Sequence, residues 1–343
     1  GVDEQRVAHA DVQWSPLRCQ AVPLNDQADI DAEAGRWATL WCEVREYLCR
    51  FSEDDIPTLE PLTGHQILMA VRTFPLGTGI GGDNVAPRAV ARLSNELLNR
   101  LGLLLSACER SGLWPRIVSL VLIVLLDKPD GGRRPIGLLP TLVRVWMRAS
   151  VSLARQWESE HFRKERFGGE GMSALRAAWQ TSFEAETAAL ADDSYAQSLL
   201  DLTKAFEKVQ HHLVAKAAMK NGYNLAVLRL TFQFYRANRS LGVDGTCSRL
   251  IQAACGITAG SGTATTELRV VLLDIIDDTY IRWQTVTLTI FVDDMSVEAS
   301  GNSFDVKVKV TGATDHIIEY LEKELQLEVS ATKSAVLADR HSV

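Results

Sequence analysis

Leu288-Thr-Ile-Phe-Val292-Asp293-Asp294-Met-Ser-Val297 is the stretch on which the fold turns. Leu288, Ile290 and Val292 fall on one face of a strand, so the segment reads as half-buried sheet. The Asp293-Asp294 pair interrupts it where a tight turn belongs, and the spacing predicts paired strands over Thr285–Ala299. Aspartate favours turns, so the pair alone says little. A second acid changes its weight. Asp201 ends the apolar run Ser198-Leu-Leu200 and stands just before a helical segment. Two carboxylates about 4 Å apart repel by roughly 4 kcal/mol at an effective dielectric near 20. Such a cluster is tolerable when a divalent cation sits in it, and oxygen ligands suit Mg²⁺ or Mn²⁺ rather than zinc. Two such ions about 4 Å apart can activate an attacking hydroxyl and stabilise a leaving oxygen in phosphoryl transfer.

Around this stretch the pattern alternates from about residue 190 onward. Tyr195–Asp201 reads as a strand, Lys204–Asn221 and Ala226–Ala237 as helices, and Gly242–Ala254 as a strand pair turning at Asp244-Gly245. Thr263–Tyr280 and Thr314–Leu325 read as helices, and Leu327–Leu337 as a final, broken strand. Helices packed on one face of a mostly antiparallel sheet make an α+β domain.

Upstream, the apolar run Ile117–Leu126 fits a buried strand and is too short to span a bilayer, which needs about 20 residues. No membrane association is expected. Pro129-Asp-Gly-Gly132 is turn chemistry and leads to a second strand through Arg133-Arg134-Pro-Ile136. Thr141–Phe162 has one helical stripe, Leu142, Val145, Trp146, Ala149 and Leu153, with Arg144, Arg148 and Arg155 along a flank. Leu76-Gly-Thr-Gly-Ile-Gly-Gly-Asp83 lacks the preceding strand that a dinucleotide cradle needs. Trp37, Trp41 and Val44 form an apolar stripe on an acidic helix around Ala32–Phe51, which reads as a packing face.

The 343 residues carry a net charge of −7, which does not advertise a nucleic-acid binder. The charge is uneven, however. Residues 1–60 hold 13 acids and 5 bases, residues 267–343 hold 14 acids and 7 bases, and residues 128–166 hold nine bases and four acids. Acidic ends and a basic middle allow local binding of a polyanion. The six cysteines show no short paired metal spacing.

Several ordered motifs together resemble the reverse transcriptase domain of non-LTR (LINE-type) retrotransposons. Lys128 with Arg134-Pro-Ile136 is similar to the finger motif. Asp201-Leu-Thr-Lys-Ala-Phe206-Glu207 is similar to the first palm motif, and Gly256-Ile-Thr-Ala-Gly260-Ser261 to the glycine-rich turn before the primer–template helix. Phe291-Val-Asp-Asp294 is similar to the aromatic-x-Asp-Asp hairpin, and Leu327–Lys333 to the next motif. The resemblance covers residues 75–335 or so. It implies a right-hand polymerase fingers–palm core with an antiparallel palm sheet carrying helices on one face. Asp201, Asp293 and Asp294 would be the catalytic and metal residues, holding two Mg²⁺, with Mn²⁺ an alternative. Lys128, Arg134, Phe206, Gly260 and Lys333 would bind the nucleotide, with Phe206 rejecting a 2′-hydroxyl. Arg144 and Arg148 would line the template path. The implied partners are an RNA template, a DNA primer and dNTP, and the implied setting is intracellular, in the nucleus.

The chain departs from the family in reading Ala259-Gly260-Ser261-Gly262 where Gln-Gly-x-Pro is usual, and Glu207 where Asp is commoner. Ten residues follow Lys333, so the thumb is expected to be missing. The expected layout is an acidic N-terminal extension over 1–60, a fingers-like region over 61–190 and a palm-like region over 191–343. Two rivals remain at this stage, a catalytically degenerate scaffold that binds RNA or protein, and another palm enzyme such as an RNA-dependent RNA polymerase.

Overall fold

A computed structural model describes Leu24 and residues 26–43, 51–129, 131–169, 171–243 and 245–339. Val44 of the expected apolar stripe lies outside them. The chain opens with α1 (Gln27–Trp41), capped by the Asp26 carboxylate, which accepts from the Asp29 N–H. Next come α2 (Gly64–Arg72), closed by a Thr63/Gln66 capping box, and α3 (Asn95–Ser111), which ends on left-handed Gly112. The hairpin β1 (Leu120–Asp127) and β2 (Arg133–Leu138) follows, then α4 (Thr141–Ala149), α5 (Val151–Glu160), α6 (Ala174–Leu190) and β3 (Ser194–Leu200). After these run α7 (Ala205–Lys208), α8 (His211–Lys220), α9 (Leu225–Tyr235), β4 (Asn238–Val243), β5 (Thr246–Cys247) and β6 (Ile251–Gln252). The last elements are α10 (Ala264–Arg282), β7 (Thr287–Phe291), β8 (Asp294–Gly301), α11 (Ser303–Glu319) and β9 (Ala335–Ala338).

Two sheets result, and the α+β expectation holds. One is wholly antiparallel, in the order β7-β8-β3-β9. The other runs β2-β1-β4-β5 with β6 also on β4, and in it β1 and β4 are parallel. The antiparallel sheet buries Met295, Val297 and Ala299 against one set of helices: Ala196 and Ala299 cluster with Val306 and Val310 of α11. This is the helical layer expected of a palm. The opposite face carries Gln197 and Glu298, and α6 lies over it, with the Thr181 hydroxyl donating to Glu298 at 2.8 Å. A helix on this second face was not expected.

The apolar residues form two large cores. One gathers β3, β7, β8, α8, α10 and α11. The other joins α1, α2, α3, β1 and α4 with Val227, Leu230, Phe234, Leu241 and Ile251. It draws on residues 30 to 253, so the core does not divide at residue 190. Nor does α1 hang off as an extension, because Ile30, Trp37 and Trp41 are 1%, 4% and 1% exposed.

Several element boundaries differ from the sequence reading. The helix expected over Thr141–Phe162 breaks at Ser150, which has φ −93° and ψ 5°, so Arg155 no longer continues the flank of Arg144 and Arg148. The helix expected from Lys204 is two helices: Lys204 takes a left-handed φ of 53° and Gln210 is extended. The last long helix begins at Ser303 rather than Thr314, because Asn302 caps it by accepting from the Phe304 N–H.

Candidate active site

The site is built on strand register. Leu200 pairs with Met295, and Phe291 pairs with Asp294 across a two-residue turn made of Val292 and Asp293. Asp201 follows Leu200 directly, so it stands opposite Asp294 on the neighbouring strand, where adjacent backbones lie about 5 Å apart. The segment after Leu327 locks it there. The Asp201 carbonyl accepts from the Ser330 N–H at 2.8 Å, and the Asp201 N–H donates to the Ser334 hydroxyl at 3.2 Å.

The turn is strained. Val292 has φ 63°, a left-handed conformation that costs a β-branched residue about 1–3 kcal/mol and persists only where neighbours enforce it. Here they do. Residues 165–167 run along β7, with Phe167 N–H donating to the Ile290 carbonyl at 2.8 Å and Ile290 N–H to Glu165 at 2.7 Å. Gly168 then rests on the turn, since a Cβ there would stand 3.1 Å from Val292 Cγ2 and 3.2 Å from its nitrogen.

Two of the three carboxylates are shifted by burial and by neighbouring charge. Burial first, then the charges of Asp294, Asp201 and Glu207, push Asp293 up to about 6. Burial and Asp201 raise Asp294, against the pull of Arg134. Among the described residues none of the three carboxylates pairs with a cation, and none accepts from another side chain.

They open into a cleft of about 850 Å³. Lys128, Arg134, Phe206 and Lys333 line it, so the structure gathers with the aspartates four of the five residues expected to bind a nucleotide. Lys128 and Arg134 sit at the two ends of the β1–β2 turn, in which Lys128 N–H donates to the Gly132 carbonyl at 2.8 Å. Phe206 lies against the core below the cleft. Its carbonyl accepts from the Ile257 N–H at 2.6 Å, tying the segment after Asp201 to the glycine-rich turn.

Gly260 itself does not line the cleft; its neighbour Ala259 does. Gly260 has φ +105°, and a Cβ on it would meet the Gly137 carbonyl oxygen at 2.4 Å. Beside it, Gly137 N–H donates to the Ala259 carbonyl at 2.6 Å. The glycine therefore allows the turn to press on β2. Arg144 and Arg148 are also absent from the cleft lining. Arg144 donates to the Gly79 carbonyl at 2.6 Å and to the Thr141 hydroxyl at 3.3 Å, and burial lowers its pKa. It fastens the glycine-rich loop 76–83 to α4, whose first N–H is capped by Asp83 at 2.5 Å. Arg148 is exposed and lies over the Phe74 ring, 4.9 Å from its centroid.

Further residues line the cleft as well. Glu33, Arg36 and Trp37 bring α1 into the wall, and Lys204 sits over Trp37 with its ammonium 4.3 Å from the ring centroid. Arg133 is held by Glu33 and Asp127, each at 3.4 Å. The signal for Lys204 was in the motif, between Asp201 and Phe206. That for α1 was not, because its flank meets the cleft only through the tertiary fold.

As to a metal, no group of three or more His, Cys, Asp or Glu side chains among the described residues is placed so as to hold an ion. Carboxylate oxygens are the kind of donor that a hard cation takes. Magnesium is commonly held by one or two carboxylates with substrate phosphates completing the shell, so an open arrangement suits it. No helix among the described residues is long and apolar enough to cross a membrane.

No protein-family model and no curated protein matches the sequence. Similar solved structures include the apo telomerase of Candida tropicalis truncated from its C-terminal domain, at 11% identity and a TM-score of 0.49, covering 73% of this chain and 57% of that one. Telomerase of the same organism in complex with a TWJ fragment of telomeric RNA gives 11% and 0.48, over 65% and 41%. The full apo telomerase gives 10% and 0.47, over 72% and 49%. The chain thus spans about half the length of those proteins. What decides the chemistry of the cleft is its own geometry.

Proposed function

We propose that the chain is the fingers–palm core of an RNA-directed DNA polymerase of the non-LTR retrotransposon type. A primer 3′-hydroxyl attacks the α-phosphate of a dNTP, the new P–O bond replaces the α–β phosphoanhydride bond, and pyrophosphate leaves. The observation that carries this reading is the Leu200–Met295 register, which sets Asp201 across from Asp294 beside a strained turn holding Asp293. Three carboxylates with no cation partner among the described residues, at the head of a cleft rimmed by Lys128, Arg134 and Lys333, suit a substrate that brings both phosphates and cations.

Asp201, Asp293 and Asp294 would hold Mg²⁺, which when bound neutralises charge at the attacking and leaving oxygens. Arg134 offers a planar fork and Lys128 and Lys333 offer point charges for the triphosphate. Phe206, half-buried in the floor and held by the core behind it, has the bulk to exclude a 2′-hydroxyl. RNA as template and DNA as primer are part of the proposal.

The test is primer extension on an RNA template with Mg²⁺, comparing deoxy- and ribonucleotides. Asp293→Asn should lower incorporation at least about 100-fold, since it removes charge from where transition-state charge is balanced. Incorporation unchanged in that variant refutes the assignment. If the unmutated chain extends no primer even when a thumb is supplied by fusion, the polymerase reading fails.

A further inference from the structure

A second cavity, of about 230 Å³, lies between α5, the segment after it and α10, and shares no lining residue with the cleft. Among the described residues its walls carry Arg155, Arg163, Arg166 and Arg269 against one acid, Glu158. The partners of three of these guanidinium groups are explicit. Arg163 is paired with Asp277, through Nε at 2.5 Å and Nη2 at 2.8 Å, and its Nη1 donates to the Phe162 carbonyl at 3.0 Å. Arg269 pairs with Glu158 and donates to the Gly168 carbonyl. Arg166 is different. It is 8% exposed, its Nη2 donates to the Arg269 carbonyl at 3.0 Å, and among the described residues its Nε has no hydrogen-bond partner. Glu158, Asp277 and Glu165 supply the negative charge nearby, but the first two are taken by Arg269 and Arg163. An unpaired guanidinium this deeply buried is costly unless something anionic reaches it.

We propose that this cavity is a second anion site, which takes a phosphate group through Arg166, with Arg155 at its exposed rim. The space equals that of about seven or eight waters, which is ample for a phosphate and part of what it is attached to. Arginine forks suit phosphate oxygens, and the Trp157 ring, 5.9 Å from the Arg166 guanidinium carbon, holds the fork in place. The phosphate comes either from free inorganic phosphate or from the end of a nucleic-acid strand. The proposal stands apart from any chemistry in the cleft.

Titration of the full chain with inorganic phosphate, read by calorimetry, tests it. Binding is expected. Arg166→Lys, which keeps the charge but loses the fork, should weaken it about tenfold, the worth of one charge-assisted hydrogen bond. Arg155→Ala, at an exposed position where folding is not at stake, should weaken it by a factor of about three or more. A short 5′-phosphorylated oligonucleotide binding more tightly than phosphate, with its 5′-hydroxyl counterpart losing that gain, assigns the site to a strand end. Equal affinity for both phosphates assigns it to the free anion. No binding by the unmutated chain overturns the proposal. So does binding that survives Arg155→Ala and Arg166→Lys unchanged but disappears in Arg134→Ala, which would put the phosphate in the cleft.

Discussion

Replacing Glu267 with glutamine should flatten the pH dependence of folding stability. Glu267 is 0% exposed on α10, and its carboxylate accepts from the Tyr235 hydroxyl, which also lies 3.1 Å from Ser261 Oγ. This network holds the glycine-rich turn from beneath. Burial pushes the Glu267 carboxyl from its ordinary 4.5 up to about 8, while hydrogen bonds from Tyr235 and Thr263 pull it down. In the window between those values the folded chain keeps a proton that the unfolded chain sheds. Stability therefore falls as pH rises through the window and levels off above it. At about 1.4 kcal/mol per pH unit the ceiling is about 5 kcal/mol. Relaxation and water entry around the ionised group bring the expected loss to about 3 kcal/mol. Glutamine stays neutral throughout, and its carbonyl still accepts from Tyr235. Urea unfolding should give nearly equal stabilities at about pH 4.5 and favour Glu267→Gln by about 3 kcal/mol at about pH 9. Parallel stability curves for the two proteins would refute the reasoning.

Other substitutions probe the site and its supports. Gly260→Ala should cost about 2 kcal/mol or more, because the new Cβ meets the Gly137 carbonyl at a φ of +105°; thermal unfolding reads it, and an unmoved midpoint denies the contact. Trp37→Ala should cost about 3–5 kcal/mol, since α1 is part of the second core, and a loss near zero would return α1 to the periphery. Phe206→Ala should raise ribonucleotide incorporation relative to deoxynucleotide by about tenfold or more, and unaltered sugar preference removes the gate. Arg144→Ala should speed proteolysis within the 76–83 loop while leaving retention on RNA near that of the unmutated chain. A loss of retention as large as that of Arg134→Ala would restore Arg144 to the template path.

What the sequence made legible was local. The turn joining β1 to β2 and the Asp293-Asp294 hairpin are short-range chemistry: turn residues between runs of sheet-forming ones. That Asp201 and Asp293 lie on neighbouring strands was a conjecture; the β3–β8 register puts Asp201 across from Asp294, with Asp293 in the turn beside it. Where local pattern and tertiary packing disagreed, packing won. Val306-Lys-Val308-Lys-Val310 alternates like a strand, yet it is helix. The burial shows why. Val306 and Val310 are 0% and 4% exposed and continue to Ala313 and Ile317, whereas Val308 is 49% exposed, the price of helical spacing on a period-two sequence.

Charge misled in the same way. Arg144 and Arg134 look alike in the sequence, ten residues apart in the basic middle, and both were expected to meet phosphates, Arg144 those of the template and Arg134 those of the nucleotide. Their surroundings separate them. Arg134 is exposed at the cleft rim and acts on Asp294, while Arg144 donates to a backbone carbonyl of the 76–83 loop. A half-buried guanidinium already bonded to a backbone carbonyl is less available to a polyanion, because turning it outward would break that bond. The same logic runs in reverse for Arg166, whose Nε was spent on nothing despite its burial. Counting basic residues measures neither case. What distinguishes a structural arginine from a recruiting one is whether the fold already supplies its acceptors, and only the tertiary contacts of each guanidinium answer that.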